Sequence, residues 1–176
     1  MSVSFIKGYI QIYTGNGKGK TTAALGLALR AAGHGLRSYI AQFMKGQTYG
    51  ELISLRSIPE ITIEQFGKDT FIHLDRATSK DIQMAEYGLE KTRQVMMSGS
   101  YQIIILDEIL VAIHFKLLTV DQVLNFLSAK PPTIELILTG RHAPKELIDK
   151  ADLVTEMVEV KHYYQRDVLA RDGIER

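Results

Sequence analysis

The chain has 176 residues, 45% hydrophobic and 23% charged, the proportions of one globular unit long enough to bury roughly 70% of the surface its unfolded form exposes. It has no Cys, which excludes disulfides, thiolate-held zinc, iron–sulfur clusters and thiol nucleophiles, and it has no Trp. With 21 Lys and Arg against 20 Asp and Glu, the net charge of +1 argues against a general nucleic-acid or anionic-membrane binder.

Residues 1–7 lack the long apolar run of a signal peptide, and nothing approaches the ~18 consecutive apolar residues of a membrane helix. The longest candidate, residues 103–113, is broken by Asp107 and Glu108. The expected setting is the cytoplasm, with which the lack of Cys agrees. Residues 8–13 alternate as a strand, and residues 22–32 read as an Ala- and Leu-rich helix ending at Gly33 as its C′ glycine. Strands are predicted over 38–43 and 61–66. Residues 78–98 form a helix capped by Thr78 or Ser79 and ended by Gly99. Residues 101–106 are a continuous apolar run, as a strand covered on both faces should be. Thr119 and Gln122 have capping-box spacing and open a helix to about Ala129. Pro131 and Pro132 break the chain before a buried strand over 134–138. A short helix near Pro144, an apolar strand over 153–158 and a polar tail after Lys161 complete it. Strand–helix alternation with doubly buried strands indicates an α/β fold with a mostly parallel sheet flanked by helices, a single domain over 1–176.

Between the first strand and helix lies Thr14-Gly15-Asn16-Gly17-Lys18-Gly19-Lys20-Thr21-Thr22. Its three glycines let the backbone curl around an anion, and the following helix N-terminus adds positive potential. This is the strand–loop–helix context of a phosphate loop, so the expected fold is phosphate-loop NTPase-like (RecA-like). Lys20 is placed on the outer phosphates, the Thr21 hydroxyl on Mg²⁺ (or Mn²⁺), and Thr22 on a second phosphate. Thr14 stands where the usual pattern has its first Gly. The apolar run 103–106 ends in Asp107 and Glu108, placed to hold the metal or its water. The two carboxylates point in different directions, one binding and one orienting. Together these motifs define a nucleoside triphosphate site without naming a reaction.

Further segments complete a pattern: Gln42 to Gly46 after the second strand, Leu138-Thr139-Gly140-Arg141, Glu159-Val160-Lys161-His162, and Gly173-Ile174-Glu175. With the phosphate loop and Leu106-Asp107-Glu108, this order resembles the phosphate-loop type of cob(I)alamin (ATP:corrinoid) adenosyltransferase over nearly the whole chain. The loop beginning with Thr is itself typical of that family. The resemblance implies transfer of the 5′-deoxyadenosyl group of ATP to Co(I) of a corrinoid, with release of triphosphate. Cobalt is then the nucleophile, so the protein has only to position the reactants and stabilise charge growing on the leaving group. Lys20, Glu108 and Arg141 take that catalytic work in this reading, and Lys45 joins the binding residues. Lys161 and His162 are left unassigned. Related proteins carry a Phe-x-Trp pair that faces the corrin; Phe71-Ile72-His73 aligns with it. Phe71 then serves either as that wall or as a core aromatic, and His73 packs or hydrogen-bonds rather than binding cobalt. His34, His114 and His142 read as solvated or core residues. The resemblance also implies a homodimer. With no thiol or cluster to supply the electron that makes Co(I), a separate donor such as a reduced flavoprotein is expected. A phosphate-loop small-molecule kinase, a nonenzymatic ATP-binding regulatory module and a corrinoid carrier remain the alternatives.

Overall fold

The computed structural model describes residues 5–69 and 77–175. Among these residues six strands form one sheet: β1 (Ile10–Thr14), β2 (Ser38–Phe43), β3 (Ile61–Phe66), β4 (Ile103–Asp107), β5 (Glu135–Thr139) and β6 (Leu153–Glu156). Their spatial order is β3-β2-β4-β5-β1-β6 and every described pairing is parallel. The helices are α1 (Lys20–Ala32), α2 (Gly50–Ser54), α3 (Ser79–Met97), α4 (Ile109–His114), α5 (Val120–Ser128) and α6 (Lys145–Ile148).

Strand periodicity sorts the core into two layers. Ile40, Ile103, Ile105 and Ile137 face Ala24, Ala28 and Ala31 of α1, whose small side chains let that helix lie close to the sheet. The alternate residues Tyr39, Ala41, Ile104, Leu106, Leu136 and Leu138 pack with α3, α4 and α5 on the other face. Both longer helices on this face begin with reciprocal capping boxes, Thr78 with Asp81 and Thr119 with Gln122, so Thr78 rather than Ser79 caps α3.

Three expectations change. Helix α1 begins at Lys20, and its left-handed closing residue is Gly35 (φ +69°), whereas Gly33 remains helical (φ −60°). Gly35 N–H bonds Ala32 O and Leu36 N–H bonds Ala31 O, the paired bonds of a Schellman closure. Strand β6 stops at Glu156 and all four of its residues are exposed, because it is an edge strand beside β1 with neither face covered. Helices α2 and α4, not anticipated from periodicity, fill the turns after β2 and β4.

Candidate active site

The site grows out of the strand alternation. One step beyond Ile40, Ile105 and Ile137 on the α1 face stand Gln42, Asp107 and Thr139, where the sheet ends and side chains change from apolar to polar. Asp107 Oδ1 accepts from the hydroxyls of Thr21 (2.8 Å) and Thr139 (2.7 Å). Its Oδ2 accepts from Lys45 Nζ (2.8 Å) and Gln42 Nε2 (3.2 Å). Gln65 on β3 extends the row by donating to Gln42 Oε1 at 3.1 Å. A carboxylate only 1% exposed is thus satisfied at both oxygens, as a buried charge must be. Burial alone would push the Lys45 ammonium down, but Asp107, with Glu108 and Glu51 beyond it, leaves it raised.

The phosphate loop turns above this row. Gly15 and Gly19 have φ +93° and +118°, conformations that L side chains avoid. Gly17 N–H donates to Met157 O at 2.7 Å, so the residue after β6 braces the loop. Gly19 caps α1 with no side-chain bond, which leaves the first-turn N–H groups to face an anion. Lys20 Nζ donates to the loop's own carbonyls, Gly15 O at 2.8 Å and Gly17 O at 2.7 Å. Burial lowers its pKa, aided by Arg141 and opposed by Glu108 and Asp107.

A cavity of about 750 Å³ opens in front of the loop, lined by residues 17–22 together with Leu25, Tyr49, Glu51 and Ser54. A second cavity, about 480 Å³, is walled by Phe43, Met44, Val111, His114, Phe115 and His142. Lys45, Tyr49, Glu108 and Arg141 line both, so the two spaces meet at one wall. Glu108 follows Asp107 with φ +62°, which turns its side chain away from the polar row. Burial, then the neighbouring Asp107 charge, raise its pKa, against the cations Lys45, Lys20 and Arg141. Met44 and His142, after β2 and β5, also have positive φ (59° and 60°). Three walls of the second cavity therefore hold non-glycine residues in a conformation costing roughly 1 kcal/mol or more each.

The fold brings together Gly17, Gly19, Lys20, Thr21, Thr22, Lys45, Glu108 and Arg141 around these cavities, with Asp107 beneath. Gly15 shapes the loop from behind and Asn16 is exposed. Lys18 lines the first cavity, but its ammonium turns to the C-terminal tail, at 2.6 Å from Glu175 Oε1 and 2.8 Å from Ile174 O. Phe71 and His73 lie outside the described residues. Sequence reasoning missed the histidine pair: His114 and His142 stack at 4.1 Å between ring centroids, 23° apart in plane, on the second cavity. Burial, His114 and Arg141 hold His142 below the usual imidazole range. Their separation by 28 positions carries no motif, and only the adjacency of β4 and β5 joins them. His162, left unassigned, accepts from Tyr164 N–H as a cap and lines the first cavity.

A parallel α/β sheet with a phosphate loop after β1 and an acidic end to β4 defines a phosphate-loop nucleotide-binding protein of the RecA-like class. A KaiC-like protein from the archaeon Pyrococcus horikoshii shares that fold, with a TM-score of 0.56 at 16% identity over 89% of this chain and 75% of its own. The sequence profile of the ATP:corrinoid adenosyltransferases BtuR/CobO/CobP matches residues 6–176, and the chain belongs to that family. It is 33% identical to the corrinoid adenosyltransferase of Pseudomonas aeruginosa, over 96% of this chain and 84% of that one. The Sinorhizobium corrinoid adenosyltransferase is 36% identical over 96% and 80%. The protein is thus a transferase acting between ATP and a corrinoid.

Proposed function

We propose that the first cavity takes ATP, with its triphosphate in the phosphate loop, and that the second takes the corrin ring. The supporting observation is the shared wall of Lys45, Tyr49, Glu108 and Arg141, which puts the two spaces in contact. An alkyl transfer needs that contact: the Co(I) electron pair forms a bond to C5′ as the C5′–O bond breaks and its electrons pass to the triphosphate. Cobalt rises formally from Co(I) to Co(III), and no proton has to move. The chain's task is then to align C5′ with cobalt and to stabilise the departing charge. Lys20 exchanges the loop carbonyls for phosphate oxygens, and Arg141 meets the same charge from the shared wall. Glu108, beside both spaces, orients groups at the junction.

Mg²⁺ or Mn²⁺ fits the residues beneath the loop. The Thr21 hydroxyl donates a hydrogen bond to Asp107 Oδ1, so its oxygen lone pairs would be free for a hard cation, with Asp107 orienting that hydroxyl and Glu108 as a further oxygen group. Among the described residues no three His, Asp or Glu side chains gather into a self-sufficient metal site, so phosphate oxygens and water would have to supply the other ligands. When bound, the ion neutralises charge on the triphosphate.

A separate reductant, such as a reduced flavoprotein, supplies the electron that makes Co(I), since a chain without Cys has no thiol or cluster for it. The uncovered edge strand β6 and the exposed Val158 and Val160 support a homodimer. Lack of Cys also suits work in the cytoplasm. Phe71 and His73 remain the proposed corrin-facing pair.

Anaerobic incubation with ATP, Mg²⁺ and chemically reduced cobalamin tests this reading. The light-sensitive spectrum of adenosylcobalamin should appear in step with triphosphate, with no ADP. ADP formation would instead indicate a kinase, and no spectral change with any corrinoid would overturn the assignment.

A further inference from the structure

We propose that residues 162–175 form a strap that closes one wall of the nucleotide cavity, and that Glu175 is the positioning residue latching it to the phosphate loop through Lys18. This rests on the first cavity being the ATP site.

No residue of the strap is buried, so apolar packing does not hold it down. A polar knot does. Glu175 Oε1 accepts from Lys18 Nζ at 2.6 Å and from the Tyr163 hydroxyl. Glu175 Oε2 accepts from Arg171 N–H at 2.9 Å, and the Arg171 guanidinium reaches both carboxylate oxygens at 3.3 Å. Lys18 also donates to Ile174 O at 2.8 Å and to the Tyr163 hydroxyl at 3.2 Å. The Arg171 guanidinium lies 5.0 Å over the Tyr163 ring, and Lys18, bonded to both Tyr163 and Glu175, joins the two ends of the strap. Hydrogen bonds from Arg171, Lys18 and Tyr163 hold the Glu175 carboxyl well below the usual carboxylate range.

The place of this lysine gives the latch its consequence. Lys18 sits between Gly17 and Gly19, in the turn proposed to curl around the triphosphate. The strap is therefore fastened to the loop itself. It sets His162, Gly173 and Ile174 into the cavity wall, and Ile174, 56% exposed, offers an apolar surface to the nucleoside. Because Glu175 already satisfies the Lys18 charge, Lys20 and the helix N–H groups are left to bind phosphate. Opening the latch lowers the fraction of molecules with a complete cavity, and apparent ATP affinity falls by that fraction.

The test is a double-variant cycle on the full chain: wild type, Glu175→Ala, Lys18→Ala and the double variant, with Mg·ATP binding measured by equilibrium titration. Each single variant should weaken ATP binding by about tenfold, and the double by about the same tenfold rather than a hundredfold, because the two groups act as one latch. Corrinoid affinity and melting temperature should stay unchanged. ATP should protect the bonds after Arg166 and Arg171 from trypsin in the wild type and not in Glu175→Ala. Unchanged or tighter ATP binding by Glu175→Ala would overturn the strap, as would additive losses in the cycle. Failure of the wild type to bind ATP would overturn the nucleotide reading itself, and the strap with it.

Discussion

Glu108 carries the sharpest conflict between stability and chemistry. Its carboxylate is pressed by burial and by the charge of Asp107, and relieved only in part by Lys45, Lys20 and Arg141, so its folded pKa lies above the ordinary 4.5. A carboxylate raised on folding leaves the native state most favoured below the unfolded pKa, and that advantage is lost as pH rises through the folded value. Glu108→Gln removes the penalty. The variant should melt at the same temperature as the wild type near pH ~4, and higher by about 2–4 °C near pH ~8, the gap opening as the wild-type carboxylate ionises. Transfer activity should fall on the order of 100-fold at the same time, the trade expected where an active site stores unfavourable charge. Melting curves across that pH range, with turnover at neutral pH, check both halves. A melting gap that does not vary with pH would exclude the electrostatic account. The polar row of Gln42, Asp107 and Thr139 behaves oppositely: there each charge is met by a partner, and its position follows from strand alternation alone.

At the scale of elements, β1, the phosphate loop and α1 work as one unit only because the turn after β6 supports them. A Cβ added at Gly15 would lie 2.4 Å from Met157 O, and its φ of +93° is strained for any L side chain. Gly15→Ala should destabilise the protein by about 1–3 kcal/mol and weaken ATP binding at least ~10-fold, measured by melting and nucleotide titration. Normal ATP affinity in that variant would show that the loop does not need its observed curvature. This unit was legible in the sequence because glycines and Gly-Lys-Thr encode it locally, and the capping boxes at Thr78 and Thr119 were legible for the same reason. Other parts were not. The predicted apolar strand over 153–158 ends at Glu156 and is exposed throughout, because coverage depends on what lies beyond the sheet edge, which no local pattern records. Helix α4 was hidden because its apolar residues continue the run of β4, and only the left-handed Glu108 separates the two. The tail's place depends on a lysine 157 positions away from Glu175, a contact between polar side chains with no periodicity. The role of Lys18 therefore changed most: its loop position was evident, but the direction of its side chain was not.

Across the whole molecule, the division into two cavities with one shared wall makes a kinetic prediction that individual residues do not. Thr22 lines the first cavity alone, His142 the second alone, and Arg141 both. If ATP and corrin occupy the cavities as proposed, Thr22→Ala should raise the KM for ATP roughly 3- to 10-fold with the corrinoid KM unchanged, the mark of lost uniform binding. His142→Ala should do the reverse, because it removes the stacked ring from the wall of the second cavity; the left-handed backbone stays strained, since alanine keeps the Cβ. Arg141→Ala should act mainly on kcat, by about 100-fold, because the charge it meets grows only as the C5′–O bond breaks. Steady-state rates with each substrate varied in turn, using chemically reduced cobalamin so that the reduction of cobalt cannot limit turnover, separate the three patterns. A His142→Ala variant that shifts only the ATP KM would reverse the assignment of the cavities. An Arg141→Ala variant with unchanged kcat would remove Arg141 from the chemistry and leave Lys20, with the proposed Mg²⁺, as the groups assigned to the leaving triphosphate.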